Sequence, residues 1–495
     1  MRIESSAGLA QRIRSVVAID PAARAVEFGG RWFTWGELRS TVDSVAEHVP
    51  VAGTPVGVIL RNRPAQIGLL LGVLRAGGCV VAINPERGAD RTRDDIATLD
   101  LPVIAGEPDD LAVLVGPPSH GTVLSATDLG CPVASTHGSG VPAIAELRPG
   151  IAVRMLTSGT TGPPKRVDLS YEMLERVLTG AKHYETNRDE ALRLREGVAV
   201  VNSPLVHLGG LFRVLQCVND GRSFSLLERF TVEGWVDAVR RHRPKTASLV
   251  PAALRMVLES DVDPGDLSSI RSVVSGTAPL APDDADAFTA RFGIPVLVSY
   301  AATEFGGGVA GWNISDHREF WATKRGSVGR AHAGCSLRVV DAGDGRVLPA
   351  GEEGLLEVKA GQLGADASWI RTTDLARIDA DGFVWILGRA DQAIIRGGFK
   401  VRADDVRFAL ESHPAVRGAA VVSIGDPRLG AVPVAAIELR PGSAASTDDI
   451  LAHASARLAR YELPVTMVIV DHLPRTASAK VDLAAVRTLF EQPDP

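Results

Sequence analysis

Residues 156–167 read LTSGTTGPPKRV and gather four hydroxyls (Thr157, Ser158, Thr160, Thr161), two glycines (Gly159, Gly162) and one lysine (Lys165) into a single short segment. Glycines let successive backbone N–H groups curl around a polyphosphate, hydroxyls add donors, and a lysine adds positive charge. The segment departs from the Gly-x4-Gly-Lys-Ser/Thr phosphate loop, because two prolines precede the lysine and Arg166 follows it. By residue type alone, a polyphosphate cradle and an ordinary polar loop between strands fit it equally well. The choice of cation is a second signal. Of 53 lysines and arginines only seven are lysine, at 165, 182, 245, 324, 359, 400 and 480. Lysine is a compact point charge and arginine a broad planar fork, so Lys165, Lys400 and Lys480 stand out in a chain that uses arginine almost everywhere. Taken singly, Glu304, Asp374 and Asp391 read as solvated, capping or turn carboxylates, and Lys480 as a surface lysine. His207, between an apolar run and Gly209-Gly210, reads as a satisfied structural histidine or as a pocket residue.

The elements that would position these residues alternate between strand and helix. PVGVIL (55–60) is followed by the helical pattern AQIGLLLGVLRAG (65–77) and then by CVVAIN (79–84). TASLVP (246–251) precedes AALRMVLES, and SIRSVVSG (269–276) precedes PDDADAFTARFG. Such alternation predicts an α/β fold of parallel sheets with flanking helices. Residues 86–150 are richer in Pro, Gly, Ser and Asp and read as a less regular surface excursion. Over 326–388 the pattern changes to short strands separated by DAGDG and DADG turns, which predicts a small β-rich subdomain. After GRADQ (388–392) helix and strand alternate again, in a last block long enough for a separate small domain.

Composition bounds the function. The 495-residue chain is 45% hydrophobic and 23% charged, ordinary for a globular protein of several structural units. A net charge of -6 argues against a nucleic-acid partner and against an anionic membrane surface. Cys79, Cys131, Cys217 and Cys335 form no CxxC pair, so neither a disulfide framework nor a zinc site is expected, and a reducing cytoplasm fits. The N-terminal residues lack the apolar core of a signal peptide, and no apolar run is long enough to span a membrane. The sequence does not speak to oligomeric state.

TSGTTGPPK resembles the phosphate loop of the adenylate-forming enzymes, which include acyl- and aryl-CoA synthetases, peptide-synthetase adenylation domains and firefly luciferase. Further matches follow in that family's order: RWFTWGELRS and VLRAGGCVVAINP near the start, PLVHLGGLF (204–212), VVSGTAPL (273–280), YAATEF (300–305), IRTTDLARIDADGFVWILGRADQAI (370–394), IRGGFKV (395–401) and PRTASAK (474–480). The resemblance spans about residues 24–488. It implies a large N-terminal domain (1–388, with the β-rich subdomain at 326–388), a hinge at 389–391 around Asp391, and a small mobile α+β C-terminal domain (392–495).

It also implies roles. Thr157, Ser158, Gly159, Thr160, Thr161 and Gly162 would hold the ATP β- and γ-phosphates with Lys165 nearby; Thr303 and Glu304 would meet the α-phosphate and Mg2+, with Thr160 as a second metal contact. Asp374 would accept hydrogen bonds from the ribose hydroxyls, with Arg389, Ile386 and Lys400 close to the nucleotide. Tyr300, Ala301 and the backbone of Gly276, Thr277 and Ala278 would flank the adenine. Lys480 would bridge the acid oxygen and the α-phosphate in the transition state. His207, Gly210, Ser275, Gly276, Ala302 and Gly307 would line the acid pocket, and Gly397 and Gly398 the acceptor tunnel. The implied reaction is adenylation of a small acid by ATP, then transfer to an acceptor, most commonly coenzyme A.

Four positions depart from the family pattern: Ala301, Thr373 and Ala479 stand where glycine is usual, and Ala403 where proline is usual. If a positive φ were needed at 301 or 479, alanine would cost roughly 1 kcal/mol. The departures keep open an amine acceptor, either in an amide ligase or in a nitrite-activating diazotase acting on an aryl amine. PLVHLGG lacks the Phe-Asp that holds an α-amino group in amino-acid adenylation domains, and no carrier-protein segment follows residue 488, so a stand-alone carboxylate ligase is preferred. An inactive nucleotide-binding homologue would be expected to have lost Lys480, Glu304 or Asp374; all three are present.

Overall fold

The computed structural model describes residues 7–116, 121–138, 146–157, 165–181, 192–397, 399–476 and 480–491. They form two compact units. The first takes the described residues up to 319 together with 360–366, and the second takes 320–359 and the described residues from 367 onward.

Three sheets build the first unit. In the largest, the strands run in the order Ala134–His137, Thr122–Ser125, Val103–Gly106, Pro55–Ile59, Cys79–Ile83, Ile151–Thr157 and Lys165–Ser170. Its inner pairings are parallel and both edge strands are antiparallel. Pro55–Ile59 and Cys79–Ile83 are buried at every position, as expected of parallel strands covered on both faces. The connecting helix Pro64–Arg75 has Pro at its start and is buried from Pro64 to Leu74, so its apolar character all round is that of a core helix. The stretch 86–150, expected to be irregular, supplies two inner strands of this sheet (Val103–Gly106 and Thr122–Ser125) and the helices Ala89–Leu99 and Pro108–Leu114. These strands are only four residues long, too short for an alternation pattern to stand out from their Pro- and Gly-rich flanks.

A second sheet runs Arg195–Val201, Arg222–Leu226, Arg24–Phe28, Arg31–Thr34. It leads into the helix Trp35–Ala46 through a capping box, in which Thr34 and Glu37 satisfy each other's backbone N–H groups. In a third sheet Thr246–Ser248, Ser272–Ser275 and Val296–Ala302 are parallel, and Gly307–Gly311 folds back antiparallel.

The second unit contains a four-stranded antiparallel meander of Ser336–Val340, Glu353–Lys359, Ile370–Ile378 and Val384–Arg389, the small β-rich subdomain expected from its turns. Its other sheet orders Phe399–Arg402, Ala393–Arg396, Gly430–Leu439 and Val416–Asp426, and Thr466–Val470 adds a parallel strand on Gly430–Leu439. Alternate residues of the two long strands face opposite ways. Val421, Ala435 and Ile437 pack with the helices Ala403–Glu411 and Thr447–Ser455, while Val422, Val434 and Ala436 pack with Leu473 and the helix Leu483–Glu491. Mixed α/β architecture with a small C-terminal α+β portion is therefore what the sequence pattern indicates. No helix among the described residues is long and apolar enough to cross a membrane.

Candidate active site

The strands Ile151–Thr157 and Lys165–Ser170 pair in a register that sets Thr157 opposite Lys165. The two ends of the hydroxyl- and glycine-rich segment are thus held side by side. Ser158, Gly159, Thr160, Thr161 and Gly162 themselves lie outside the described residues. The second arm is anchored by Arg166, which donates to the Ala82 carbonyl at 3.0 Å and to Asp95 at 2.5 Å, in a pair whose side chains are only 9% and 17% exposed. Behind it, Tyr171 donates from a fully buried hydroxyl to the carbonyls of Leu74 and Gly78. Arg166 and Asp95 are supporting residues that residue type alone did not flag.

Thr303 and Glu304 occupy a single 3-10 turn, Thr303–Phe305, between the strands Val296–Ala302 and Gly307–Gly311. Gly306 closes the turn at φ +74, and a Cβ there would collide with Met173, so only glycine fits. Phe305 is buried and packs 6.2 Å from the Tyr300 ring, while Glu304 is left exposed and Thr303 half-buried. The turn therefore pins an aromatic inward and leaves the carboxylate exposed, with Thr303 half-buried beside it. Ala302 pairs with Gly307 across the hairpin, placing two of the expected acid-pocket residues side by side. Ala301 sits in the strand, and neither it nor Thr373 has a positive φ, so glycine is not required at either position. Ala479 lies outside the described residues.

The neighbouring strand Ser272–Ser275 ends at Ser275, whose hydroxyl is fully buried with no hydrogen-bond partner among the described residues. A Cβ on Gly276 would stand 2.9 Å from the Ser299 carbonyl, so the backbone at 276 can approach the next strand only because it carries no side chain. Thr277 follows at φ +72, a left-handed conformation rare for a β-branched residue, and Ala278 is half-buried. His207 is the N-cap residue of the helix Leu208–Asn219 and is half-buried, with Gly210 in the helix's first turn. The preceding turn is set by Asn62, which is 5% exposed, donates to the carbonyls of Ser203 and Leu227, and accepts from the Leu205 N–H. A lone Asn after an apolar strand gave no sign of that clamp.

In the second unit Asp374 and Arg389 are cross-strand partners, and Ile386 pairs with Ala376 beyond the intervening Leu375–Gly388 pair. Thr372 accepts the Asp374 N–H at 3.0 Å and donates to the Leu356 carbonyl at 2.9 Å, fixing the backbone at the aspartate. Arg389 donates twice to Asp391, at 2.9 and 2.6 Å, across the short turn Ala390–Gln392. Lys400 pairs with Ile395 in the following hairpin, where the Gly397 N–H donates to the Leu429 carbonyl at 2.7 Å; Gly398 lies outside the described residues. Ala403 is the first residue of the helix Ala403–Glu411, where proline and alanine are interchangeable because that N–H has no intrahelical partner. Lys480 is exposed, and its carbonyl accepts the Thr476 N–H at 2.8 Å.

Among the described residues no group of three or more His, Cys, Asp or Glu could hold a metal ion by itself. An exposed carboxylate such as Glu304 fits Mg2+ in the manner usual for that ion, one or two carboxylates completed by phosphate oxygens and water.

Comparison with known proteins identifies the family. The AMP-binding enzyme family model matches residues 13–364, and the AMP-binding enzyme C-terminal domain matches residues 408–480. The chain is 27% identical to the indoleacetate–CoA ligase of Aromatoleum aromaticum, covering 98% of this chain and 99% of that protein. ATP-bound MatB from Rhodopseudomonas palustris shares the fold with a TM-score of 0.81 at 24% identity, over 99% of both chains. The amide bond synthetase McbA from Marinactinospora thermotolerans has a TM-score of 0.79 at 26% identity, covering 97% of this chain and 100% of that one. With the first family model matching most of the sequence and the second its C-terminal part, the chain belongs to the AMP-binding enzymes of the adenylate-forming superfamily.

Proposed function

We propose that this AMP-forming ligase joins a small or medium-sized carboxylic acid to the thiol of coenzyme A through an acyl-adenylate. The reading rests on the likeness, over 98% of the chain, to a protein named as a CoA ligase. The presence of Glu304, Asp374 and Lys480 at their motif positions supports it. In the first step an acid oxygen attacks the α-phosphorus of ATP, and the bond from that phosphorus to the bridging oxygen breaks, releasing pyrophosphate. In the second, the thiol sulfur attacks the carbonyl carbon of the mixed anhydride, the bond to the phosphate oxygen breaks, and AMP leaves as the thiol proton passes to solvent.

The segment 158–162 and Lys165 would hold the β- and γ-phosphates, and Thr303 the α-phosphate. Asp374 would accept from the ribose hydroxyls, while Arg389, Ile386 and Lys400 lie near the nucleotide. Tyr300, Ala301 and the backbone of 276–278 flank the adenine. His207, Gly210, Ser275, Gly276, Ala302 and Gly307 would line the acid pocket. Bound Mg2+, held by Glu304 with Thr160, would offset the charge that develops on pyrophosphate. Lys480 places a positive charge between the acid oxygen and the α-phosphate, where preorganised electrostatics acts most strongly. Rotation of residues 392–495 about Asp391 then exchanges Lys480 for the 395–401 loop, bringing Gly397 and Gly398 to the acceptor.

A second reading, with an amine in place of the thiol, is favoured by the 26% identity to an amide bond synthetase over 97% of this chain. The discriminating experiment is pyrophosphate release with ATP, Mg2+ and a panel of short-chain, aryl and cinnamate-like acids plus nitrite, each with and without CoA or an aryl amine. Turnover of a carboxylate that rises with CoA supports the thiol ligase. Turnover that rises only with the amine, or with nitrite, replaces it by the amine-directed reading. No ATP consumption with any acid sinks both.

A further inference from the structure

Glu438 is a buried carboxylate that none of these roles uses. It lies near the end of the strand Gly430–Leu439 and interrupts an otherwise apolar run, yet its side chain is only 3% exposed. Arg417 on the adjacent strand donates to one of its oxygens at 2.7 Å, a pair that would by itself offset the charge. The remaining partners all belong to the segment that leads into Lys480. The Leu473 N–H donates at 3.0 Å, Arg475 lies at 3.8 Å and His472 at 3.6 Å.

Beyond these contacts the chain forms a closed stem. Arg475 and Val481 make an antiparallel bridge, the Thr476 N–H donates to the Lys480 carbonyl at 2.8 Å, and the Asp482 N–H donates to the Pro474 carbonyl at 2.9 Å. The far side of the stem is fixed too. Asp482 caps the helix Leu483–Glu491 through the N–H groups of Ala484 and Ala485, and Val486 seats that helix on the sheet face that also buries Leu473. The near side of the stem is held by Glu438.

We propose that Glu438 is a positioning residue for Lys480, tying the stem of the lysine-bearing loop to the C-terminal sheet so that the amine is presented from a fixed base. This inference rests on the reading of Lys480 as the adenylation lysine. A buried carboxylate needs every lone pair met. Here that need is met by one strand partner and by the loop stem, so the charge that would be costly if left alone becomes a clamp on the loop. Burial would raise the Glu438 carboxyl, but the Leu473 N–H, the charges of Arg417 and Arg475 and the hydrogen bond from His472 outweigh it and hold the group below its ordinary value, so the clamp is charged at neutral pH.

The test uses the full-length protein. Glu438→Gln keeps the shape and the acceptor for Leu473 but removes the charge that Arg417 and Arg475 meet. Arg475→Ala breaks only the loop side and leaves the Glu438–Arg417 pair in place. Both variants are expected to speed amide hydrogen exchange at 473, 475, 476 and 480–482 while leaving the rest of the C-terminal sheet protected. With the acid that gives the fastest pyrophosphate release, adenylation kcat is expected to fall about 10-fold with KM for ATP little changed. Transfer from pre-made adenylate is expected to stay within about twofold of wild type. Unchanged exchange at the stem overturns the inference, as does an equal loss in both half-reactions, which would mark Glu438 as merely structural. Lys480→Ala, run in parallel, separates the two levels: if it leaves adenylation intact, the reading of Lys480 fails and the positioning role falls with it. If it abolishes adenylation while Glu438→Gln and Arg475→Ala do not lower it, only the positioning role is lost.

Discussion

Arg389 and Asp391 form a two-pronged ion pair, with the guanidinium Nε and Nη2 donating to the two carboxylate oxygens at 2.9 and 2.6 Å across Ala390. The pair closes the short turn on which the proposed rotation pivots. Its side chains are 36% and 27% exposed, so its contribution to folding is small, about 1 kcal/mol or less. Its effect on the turn is geometric, because a planar fork on a carboxylate fixes both partners at once. Asp391→Ala is therefore expected to leave the thermal midpoint nearly unchanged and to release Arg389 toward the nucleotide, so that KM for ATP holds or falls. Transfer to the acceptor, which needs the second setting of the hinge, is expected to slow by about 10-fold. Single-turnover measurement of each half-reaction checks this; equal rates in both for variant and wild type would detach the ion pair from the hinge.

Asp374 stands opposite Arg389 in the same strand pair, with its backbone held by Thr372. If its carboxylate accepts two ribose hydroxyls, Asp374→Ala removes charge-assisted hydrogen bonds worth about 1.5–3 kcal/mol each when buried by ligand. A rise in Kd for ATP of at least about 10-fold is expected, with little change in the stability of the ligand-free protein. Titration calorimetry with ATP measures this directly, and unchanged affinity would remove Asp374 from the ribose site.

Glu27 offers a test of stability rather than catalysis. It is 2% exposed on the strand Arg24–Phe28, meets His242 at 2.6 Å and is also paired with Arg241. Burial alone would raise its carboxyl pKa, but hydrogen bonds from Ser225 and His242 and the charges of His242 and Arg241 outweigh it and hold the group below its ordinary value of 4.5. A carboxyl depressed in the folded state stabilises at pH above its unfolded value, and the contribution is lost as pH falls through the lower, folded value. Glu27→Gln is expected to destabilise by about 2–3 kcal/mol at neutral pH, less than a wholly buried pair because Arg241 is partly exposed. Unfolding midpoints of the two proteins should converge as pH falls below 4.5; a gap that stays constant down to pH values well under this would assign the loss to packing instead.

Some of the site was legible in the sequence for physical reasons, and some was not. Apolar runs such as Pro55–Ile59 and Cys79–Ile83 announced buried parallel strands because both of their faces are covered. The order of motifs singled out Glu304 but not the short turn Thr303–Phe305 that leaves it exposed. The short strands Val103–Gly106 and Thr122–Ser125 were hidden, since four residues carry too little periodicity to oppose their flanks. Lysine rarity was a mixed guide. Lys324 is one of the seven, yet it bridges Asp379 at 2.7 Å and Asp381 at 2.5 Å to brace a turn of the meander. The clamps made by Asn62, Arg166 and Glu438 depend on partners 21 to 165 residues away, and no local pattern encodes such pairings.

Thr277 is the position where local rules and the fold disagree most clearly. Its φ of +72 is one of three positive values at non-glycine residues among the described residues, and it alone is β-branched. Left-handed backbone costs such a residue about 1–2 kcal/mol, whereas glycine adopts it freely but gives up about 0.5–1 kcal/mol of extra entropy on folding. The balance predicts that Thr277→Gly stabilises the protein by up to about 1 kcal/mol, read as a higher thermal midpoint. Strain of this kind persists where the surroundings over-determine a backbone, and the stretch 276–278 is the proposed adenine-flanking segment. If the strained backbone is what pre-aims those atoms, the more flexible glycine should raise KM for ATP a few-fold while the midpoint rises. A higher midpoint with unchanged KM would make the strain incidental to nucleotide binding, and a lower midpoint would mean that the Thr277 side chain makes contacts worth more than the backbone strain it imposes.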